Sequence, residues 1–357
     1  MKRLVLAAAL AAVAPAWLPV TVAGAAGPAA RGTLVVLNKA EATASLIDLA
    51  SGRITATVKT GEGPHEVAIR PDGERAVVSN YGTEDRPGST LTVIDLRAGR
   101  SMKTLSLGRL RRPHGIRFLP GGRELLVTAE ESHALAVVDA DTGRVVRTIA
   151  TGQEVSHMVA VAPDGKRAYV ANIGSGSVTV VDLVAGRVVR HIATGAGSEG
   201  VAVAPDGRSL WVTARDADRV AVVDARTLEV VARLPASSFP IRVQITADGR
   251  WALVSCARTG ELRVFDAARR TEVARLAMPA GSASGKGRLF GDRFGASPVP
   301  IGIVIPPGPP GRAYVASAHA DEVVVIDLAS RRIVDHLRAG REPDGLGWSP
   351  VAVARPR

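Results

Sequence analysis

Pro163-Asp164-Gly165-Lys166-Arg167-Ala168-Tyr169-Val170-Ala171-Asn172, then Ile173-Gly174-Ser175-Gly176, then Ser177-Val178-Thr179-Val180-Val181-Asp182 is the stretch on which the fold turns. Pro-Asp-Gly between two apolar runs is a hairpin turn. Proline presets the first turn angle, aspartate bonds its own backbone, and glycine takes the left-handed position. The runs alternate with period two and carry no 3.6-residue periodicity, so they read as strands. Another apolar segment, Arg187 to Ile192, follows the closing aspartate. With a short strand before the turn, the unit holds four strands in roughly 42 residues.

The unit recurs along the chain. Its apolar-apolar-Asp ending appears at Ile47-Asp48, Ile94-Asp95, Val138-Asp139, Val181-Asp182, Val223-Asp224, Phe265-Asp266 and Ile326-Asp327, seven copies in all. Turns of the same kind stand at Pro71-Asp72-Gly73, Pro120-Gly121-Gly122, Pro205-Asp206-Gly207 and Ala247-Asp248-Gly249, with a looser stretch from Pro306 to Gly311. Repetition in every unit marks the seven aspartates as turn residues and removes them from any list of catalytic groups. Four-stranded units at this period are propeller blades, which bury both faces only by stacking around an axis. The N-terminal copy, from Thr33 to about Gly63, lacks a first strand, and Pro343-Asp344-Gly345-Leu346-Gly347-Trp348 resembles only that strand. The expectation is an all-β, seven-bladed β-propeller with four-stranded blades. The C-terminal strand is expected to close the ring as the innermost strand of the N-terminal blade, which leaves no free edge. Two units run long, at Gly82 to Ser89 and at Gly281 to Ser297, and loops of that size are functional or mobile.

The repeat resembles the YVTN-type β-propeller repeat, whose signature reads out at Tyr169-Val170-Ala171-Asn172 together with the Val-Ile-Asp and Pro-Asp-Gly elements. Length, leader and seven units are similar to YncE-like periplasmic propellers. That resemblance implies a non-enzymatic propeller, with single-stranded DNA the ligand proposed for one member. Lactonase-type propellers are similar in architecture and carry His, Glu and Arg at the channel mouth. Here Ala171-Asn172-Ile173-Gly174 lacks the Asn-Glu pair expected after that strand.

Composition narrows the function classes. Aromatics are 3% of 357 residues, so the core is built from Val, Ala, Leu and Ile, and stacking platforms for bases are scarce, with Tyr81 and Trp211 the candidates. A single cysteine, Cys256, excludes a disulfide framework and any Cys-cluster metal site. It reads as a small packed side chain and not a nucleophile. No Cys-x-x-Cys-His exists, so no covalent haem is carried. Met1-Lys2-Arg3, an apolar run from Leu4 to about Val20 and Ala23-Gly24-Ala25-Ala26 read as a signal peptide over 1–26, leaving one domain over 27–357. A periplasmic or secreted monomer without a transmembrane span follows. The net charge of +11 becomes +9 without Lys2 and Arg3, so the basic balance belongs to the mature chain and suits polyanions such as nucleic acid.

The first strand of a blade starts, and the second ends, at the same face. The residue after the opening Pro or Ser of each unit therefore lies at one mouth of the channel. In order these are His65, His114, His157, Glu199, Ile241, Ile301 and Asp344. Three of seven histidines share one register on consecutive blades. Imidazole with carboxylate suits a divalent transition metal, and the ligand set would be His65, His114, His157 and Glu199. A purely structural role stands beside it, in which the imidazoles bond a neighbouring blade's backbone and latch the stack. The ends of the second strands add Tyr81, Glu130, Arg215, Asp216, Cys256, Arg258 and His319, and Arg109, Arg111 and Arg112 precede His114. Glu130, Arg215 and Asp344 join the histidines and Glu199 as a candidate mouth for an anionic small molecule. The most concrete expectation is a binding propeller with its ligand at this mouth.

Overall fold

The computed structural model describes residues 31–236, 238–280, 286–308 and 311–354. The proposed signal peptide lies outside the described residues. Seven four-stranded antiparallel sheets account for nearly all regular structure. The blades begin with the innermost strands Pro64–Ile69, Pro113–Phe118, Ser156–Val161, Ser198–Val203, Pro240–Ile245, Pro300–Val304 and Pro343–Ser349. The last is the closing strand. It pairs antiparallel with Thr33–Asn38, matching Thr33 to Ser349, Val35 to Gly347 and Asn38 to Pro343. The sheet continues through Thr43–Asp48 to Arg53–Lys59, so one blade is built from both ends of the chain. Among the described residues no helix is long and apolar enough to cross a membrane.

The turns behave as their composition dictates. Asp164 Oδ1 accepts from Lys166 N at 2.9 Å and Gly165 sits at φ +69°, a region costly for any side chain. The closing aspartates of the third strands accept backbone amides of the turns that follow, as at Asp182 from Val184 and Ala185 and at Asp224 from Arg226 and Thr227. These bonds draw the Asp224 pKa down, backbone amides of Thr227 and Arg226 first.

Packing explains the alternation of strands such as Ser177–Asp182 differently from a solvated face. Ser177 and Thr179 are buried, like the valines between them. Asn172, the last residue of the preceding strand, donates Nδ2 to Ser177 Oγ at 3.1 Å and to Thr179 Oγ1 at 2.9 Å. Asn80 does the same with Thr90 and Thr92, and Asn38 with Thr43 and Ser45. The asparagine of the repeat is a strand-to-strand clamp whose polar groups are satisfied inside the blade.

Apolar residues between neighbouring blades form seven separate cores, one per interface. Both faces of the inner strands are covered, whereas the outer strands are exposed or half-buried along most of their length. At the axis the inner strands approach so closely that side chains are excluded at some positions. A Cβ on Gly302 would lie 2.1 Å from Asp344 O, and one on Gly345 2.4 Å from His65 O.

Candidate functional site

The second residue of each innermost strand is buried at one end of the axis: His65, His114, His157, Glu199, Ile241, Ile301 and Asp344. Hydroxyls hold this ring in place. Ser79 Oγ donates to His114 O at 2.8 Å, Ser255 Oγ to Ile301 O at 2.8 Å and Thr213 Oγ1 to Ile241 O at 3.3 Å, each from the preceding blade. Thr128 Oγ1 likewise donates to His157 O. The backbone latch between blades is therefore made by serine and threonine, and it fixes where the imidazoles stand.

The three histidines stack. Ring centroids are 4.1 Å apart for His65 and His114 and 3.6 Å for His114 and His157, with Tyr81 edge-on to the first two. Each ring has a different electrostatic setting. His65 Nε2 lies 3.1 Å from Lys39 Nζ, and its Nδ1 2.8 Å from Asp344 Oδ2. An ammonium can only donate, so Nε2 accepts and the ring proton sits on Nδ1, facing Asp344. Burial works against ionised Asp344, but His65 and Lys39 outweigh it and hold its carboxyl below the usual range. His157 Nδ1 bonds Glu130, and its Nε2 lies 3.3 Å from Glu199. Burial favours neutral His157, yet these two carboxylates overcome it and raise its pKa. Glu130 is in turn held down by His157 and by Tyr81, whose hydroxyl donates at 2.6 Å.

His114, between them, is fully buried, and neither ring nitrogen has a hydrogen-bond partner. Burial and the neighbouring histidines hold its pKa well below the ordinary imidazole value, so the ring is neutral. Such orphaned nitrogens cost about 1–3 kcal/mol each and demand an explanation. Two groups of side chains at this mouth have ligand atoms within 4.8 Å of one another: His114, Glu130 and His157, and His65, Glu66 and Asp344. The structure thus divides the three histidines between two groups, adds Glu130 and Glu66, and sets Glu199 apart.

Glu199 belongs to a buried charge network. Its oxygens receive Arg215 Nη1 at 2.7 Å and Arg242 Nη1 at 2.8 Å. Arg242 also reaches across the axis to Glu66 at 2.8 Å, joining residues far apart in the chain. Burial opposes ionised Glu199, but His157, Arg215 and Arg242 keep it well below the usual carboxylate range. The sequence reading missed Glu66, Arg242 and Lys39. A signal was present for two of them: in the register just after the mouth residues, other units carry Gly115, Gly200, Gly302 and Gly345, whereas Glu66 and Arg242 are charged.

Other expected mouth residues fall into supporting places. Arg112 lies over the Tyr81 ring at 5.0 Å and donates to Thr83 O and Glu84 O. Arg111 bonds Gly108 O, and Arg109 is exposed. Asp216 pairs with Arg215, and Arg258 lies 3.9 Å from Asp218. His319 Nε2 meets Leu289 O at 2.7 Å. That contact belongs to the described part of the long loop, where Phe290 and Phe294 pack on Phe239 and seat the loop beside the mouth. Cys256 is fully buried and its thiol is pushed up to about 12, chiefly by burial, which makes it inert. Trp211 is completely buried against Phe265, so it is no stacking platform.

Comparison with known proteins agrees with this geometry. A family described as YNCE-like beta-propeller matches residues 3–159. Over that stretch the chain resembles YncE-like β-propellers, in agreement with its seven four-stranded blades. A second family, described as Cytochrome D1 heme domain, matches residues 123–241 of the chain. No curated protein matches it. Among solved structures, "Kuenenia stuttgartiensis Hydrazine Synthase" superposes with a TM-score of 0.64 at 19% identity, covering 90% of this chain and 99% of that one. A functionally unknown protein from Desulfotomaculum acetoxidans DSM 771 superposes with a TM-score of 0.72 at 12% identity, with the same coverages. At these identities the likeness is one of fold. The mouth does not fit a haem: the imidazoles lie against one another as tilted rings with centroids 4.1 and 3.6 Å apart, and Glu66, Arg242 and Glu199 bridge the axis beside them, so among the described residues no slot for a planar macrocycle lies between the rings.

Proposed function

We propose that this YncE-like propeller is an exported, non-enzymatic binding protein that takes up a divalent transition metal at its histidine mouth. The single observation that carries this reading is His114, fully buried, neutral and with both ring nitrogens unpartnered. A neutral imidazole is the form that ligates metal. His157 and Glu130 complete a nitrogen-nitrogen-oxygen donor set, the kind that zinc takes, with ligand atoms within 4.8 Å of one another. Export is supported by the leader-like residues 1–26, and a binding role by the absence of a nucleophile elbow or other catalytic motif in the sequence. Uptake requires His157 to give up the proton that Glu130 and Glu199 stabilise, so metal binding is proton-coupled. The test is elemental analysis of protein from its native compartment, followed by zinc titration calorimetry of the stripped protein. One equivalent of zinc that is lost in His114→Ala supports the reading, and unmodified protein that takes up no divalent ion refutes it.

A further inference from the structure

The other end of the axis holds a cavity of ≈ 550 Å³. Its rim includes Pro71, Pro120 and Pro163 of the turns that join first to second strands, so it lies at the face opposite the histidines. Most of the lining side chains are apolar, Ile69, Phe118, Ile245 and Trp348 among them, and polar atoms are exposed between them. That volume falls in the usual range of small-molecule sites, about 300–1,000 Å³, which are apolar with a few placed polar groups. The placed groups here are Arg117 and Gln244. They share a register in which the other innermost strands carry Ala68, Ala160, Ala202, Val304 and Gly347, all shorter side chains. Short side chains at those positions leave the room that the two long side chains share with a ligand.

Arg117 is the cation left over near the axis. Arg242 is matched by Glu66 and Glu199, and Arg215 by Glu199. Arg117 makes its one hydrogen bond, at 2.9 Å, to the carbonyl of its neighbour Ile116, and among the described residues no carboxylate lies within ion-pair distance of it. Burial pulls its pKa down, the charge of Glu66 offsets this only in part and Arg242 adds to it, although a guanidinium stays charged at any working pH. A charge set in a mostly apolar wall with one neutral partner is costly unless a counter-ion arrives. Arg117 stands three residues beyond His114 on one strand, about 10 Å further along, and the ion pairs of Glu66, Arg242 and Glu199 lie between the two ends.

We infer that this cavity binds a small organic anion, a carboxylate on an apolar body, with Arg117 as its counter-ion, Gln244 as a second polar contact and the apolar side chains of the walls around the body. The site shares no residue with the histidine cluster and holds with or without a metal there. The experiment uses octanoate as probe and octan-1-ol, the same body without the charge, as control. Binding is read by calorimetry and by the fluorescence of Trp348, with Trp348→Phe identifying the signal. Octanoate is expected to bind at least tenfold more tightly than octan-1-ol, and Arg117→Met is expected to remove that preference while leaving octan-1-ol unchanged. The inference is overturned if octanoate does not bind at millimolar concentration, if the alcohol binds as well, or if a folded Arg117→Met protein keeps the preference. Should Arg117→Met fail to fold, Gln244→Leu and the octanoate–octanol comparison on unmodified protein still decide, because equal affinities there sink the anion site.

Discussion

His114→Leu separates a metal ligand from a structural histidine by one stability change. A neutral imidazole carries one donor and one acceptor, and here both are buried without partners. Leaving each unmade costs about 1–3 kcal/mol. The leucine removes both penalties in a similar volume. It also forfeits two ring contacts, at 4.1 and 3.6 Å between centroids, worth about 0.5–1.5 kcal/mol each. In the presence of a chelator the variant should therefore lie between about 1 kcal/mol below the parent and about 5 kcal/mol above it. With zinc at a hundredfold over the dissociation constant, the parent gains about 2.7 kcal/mol by mass action, and the variant gains nothing. The assay is urea unfolding of both proteins, with chelator and with zinc. Zinc should move the gap between the two proteins by about 2.7 kcal/mol in the parent's favour. A variant that is several kcal/mol less stable in both would show that the imidazole holds the ring together by itself, and the metal reading would fall.

Four further outcomes follow from the same geometry. Zinc occupancy should fall on acidification with a midpoint above the ordinary imidazole value of about 6.5, because His157 holds its proton to higher pH; competition titrations with a midpoint below 6 would contradict this. Arg242→Met strands Glu66 and half of the Glu199 pairing, and should cost about 3–5 kcal/mol at neutral pH. In the parent the Glu199 contribution is complete above about pH 4.3 and lost as pH falls through its depressed folded value; the variant keeps only the part due to Arg215 and His157, so its deficit in urea unfolding should narrow in acid, and a pH-independent deficit would count against the network. Deleting residues from Pro343 onward exposes the Thr33–Asn38 edge and removes one blade interface, so the truncated chain should aggregate; a monomer of unchanged melting temperature would refute closure. Affinity for single-stranded DNA or heparin should fall linearly in log–log form with salt, given the net charge of +11, and salt-independent binding would exclude the electrostatic account.

The blades were legible because each carries its own punctuation. Aspartate after a third strand and Pro-Asp-Gly after a first act within a few residues, so the sequence alone reports them, and the split blade followed from what each end lacked. The mouth histidines were legible for the same reason, since one register repeats on consecutive units. What joins them was not. Glu66 meets Arg242 only through ring closure, and Lys39 reaches His65 from the other side of the seam. Strand alternation reports the period and not the burial: Ser177 and Thr179 are satisfied by Asn172 from inside the blade. Trp211 looked available for stacking because nothing local reveals that the adjacent blade covers it.

Thr33 and Ser349 are paired at the end of the seam away from the histidines. The described residues thus enter and leave the ring on the same side, that of the proline-rimmed cavity. Anything fastened to either end, whether a tag, a fusion partner or a solid support, holds the particle by that face. The histidine mouth then points outward, towards whatever is in solution, while the cavity faces the attachment. Immobilised by either terminus, the protein offers one of its two axial openings and shades the other, so a surface-binding assay and a free-solution assay need not sample the same site.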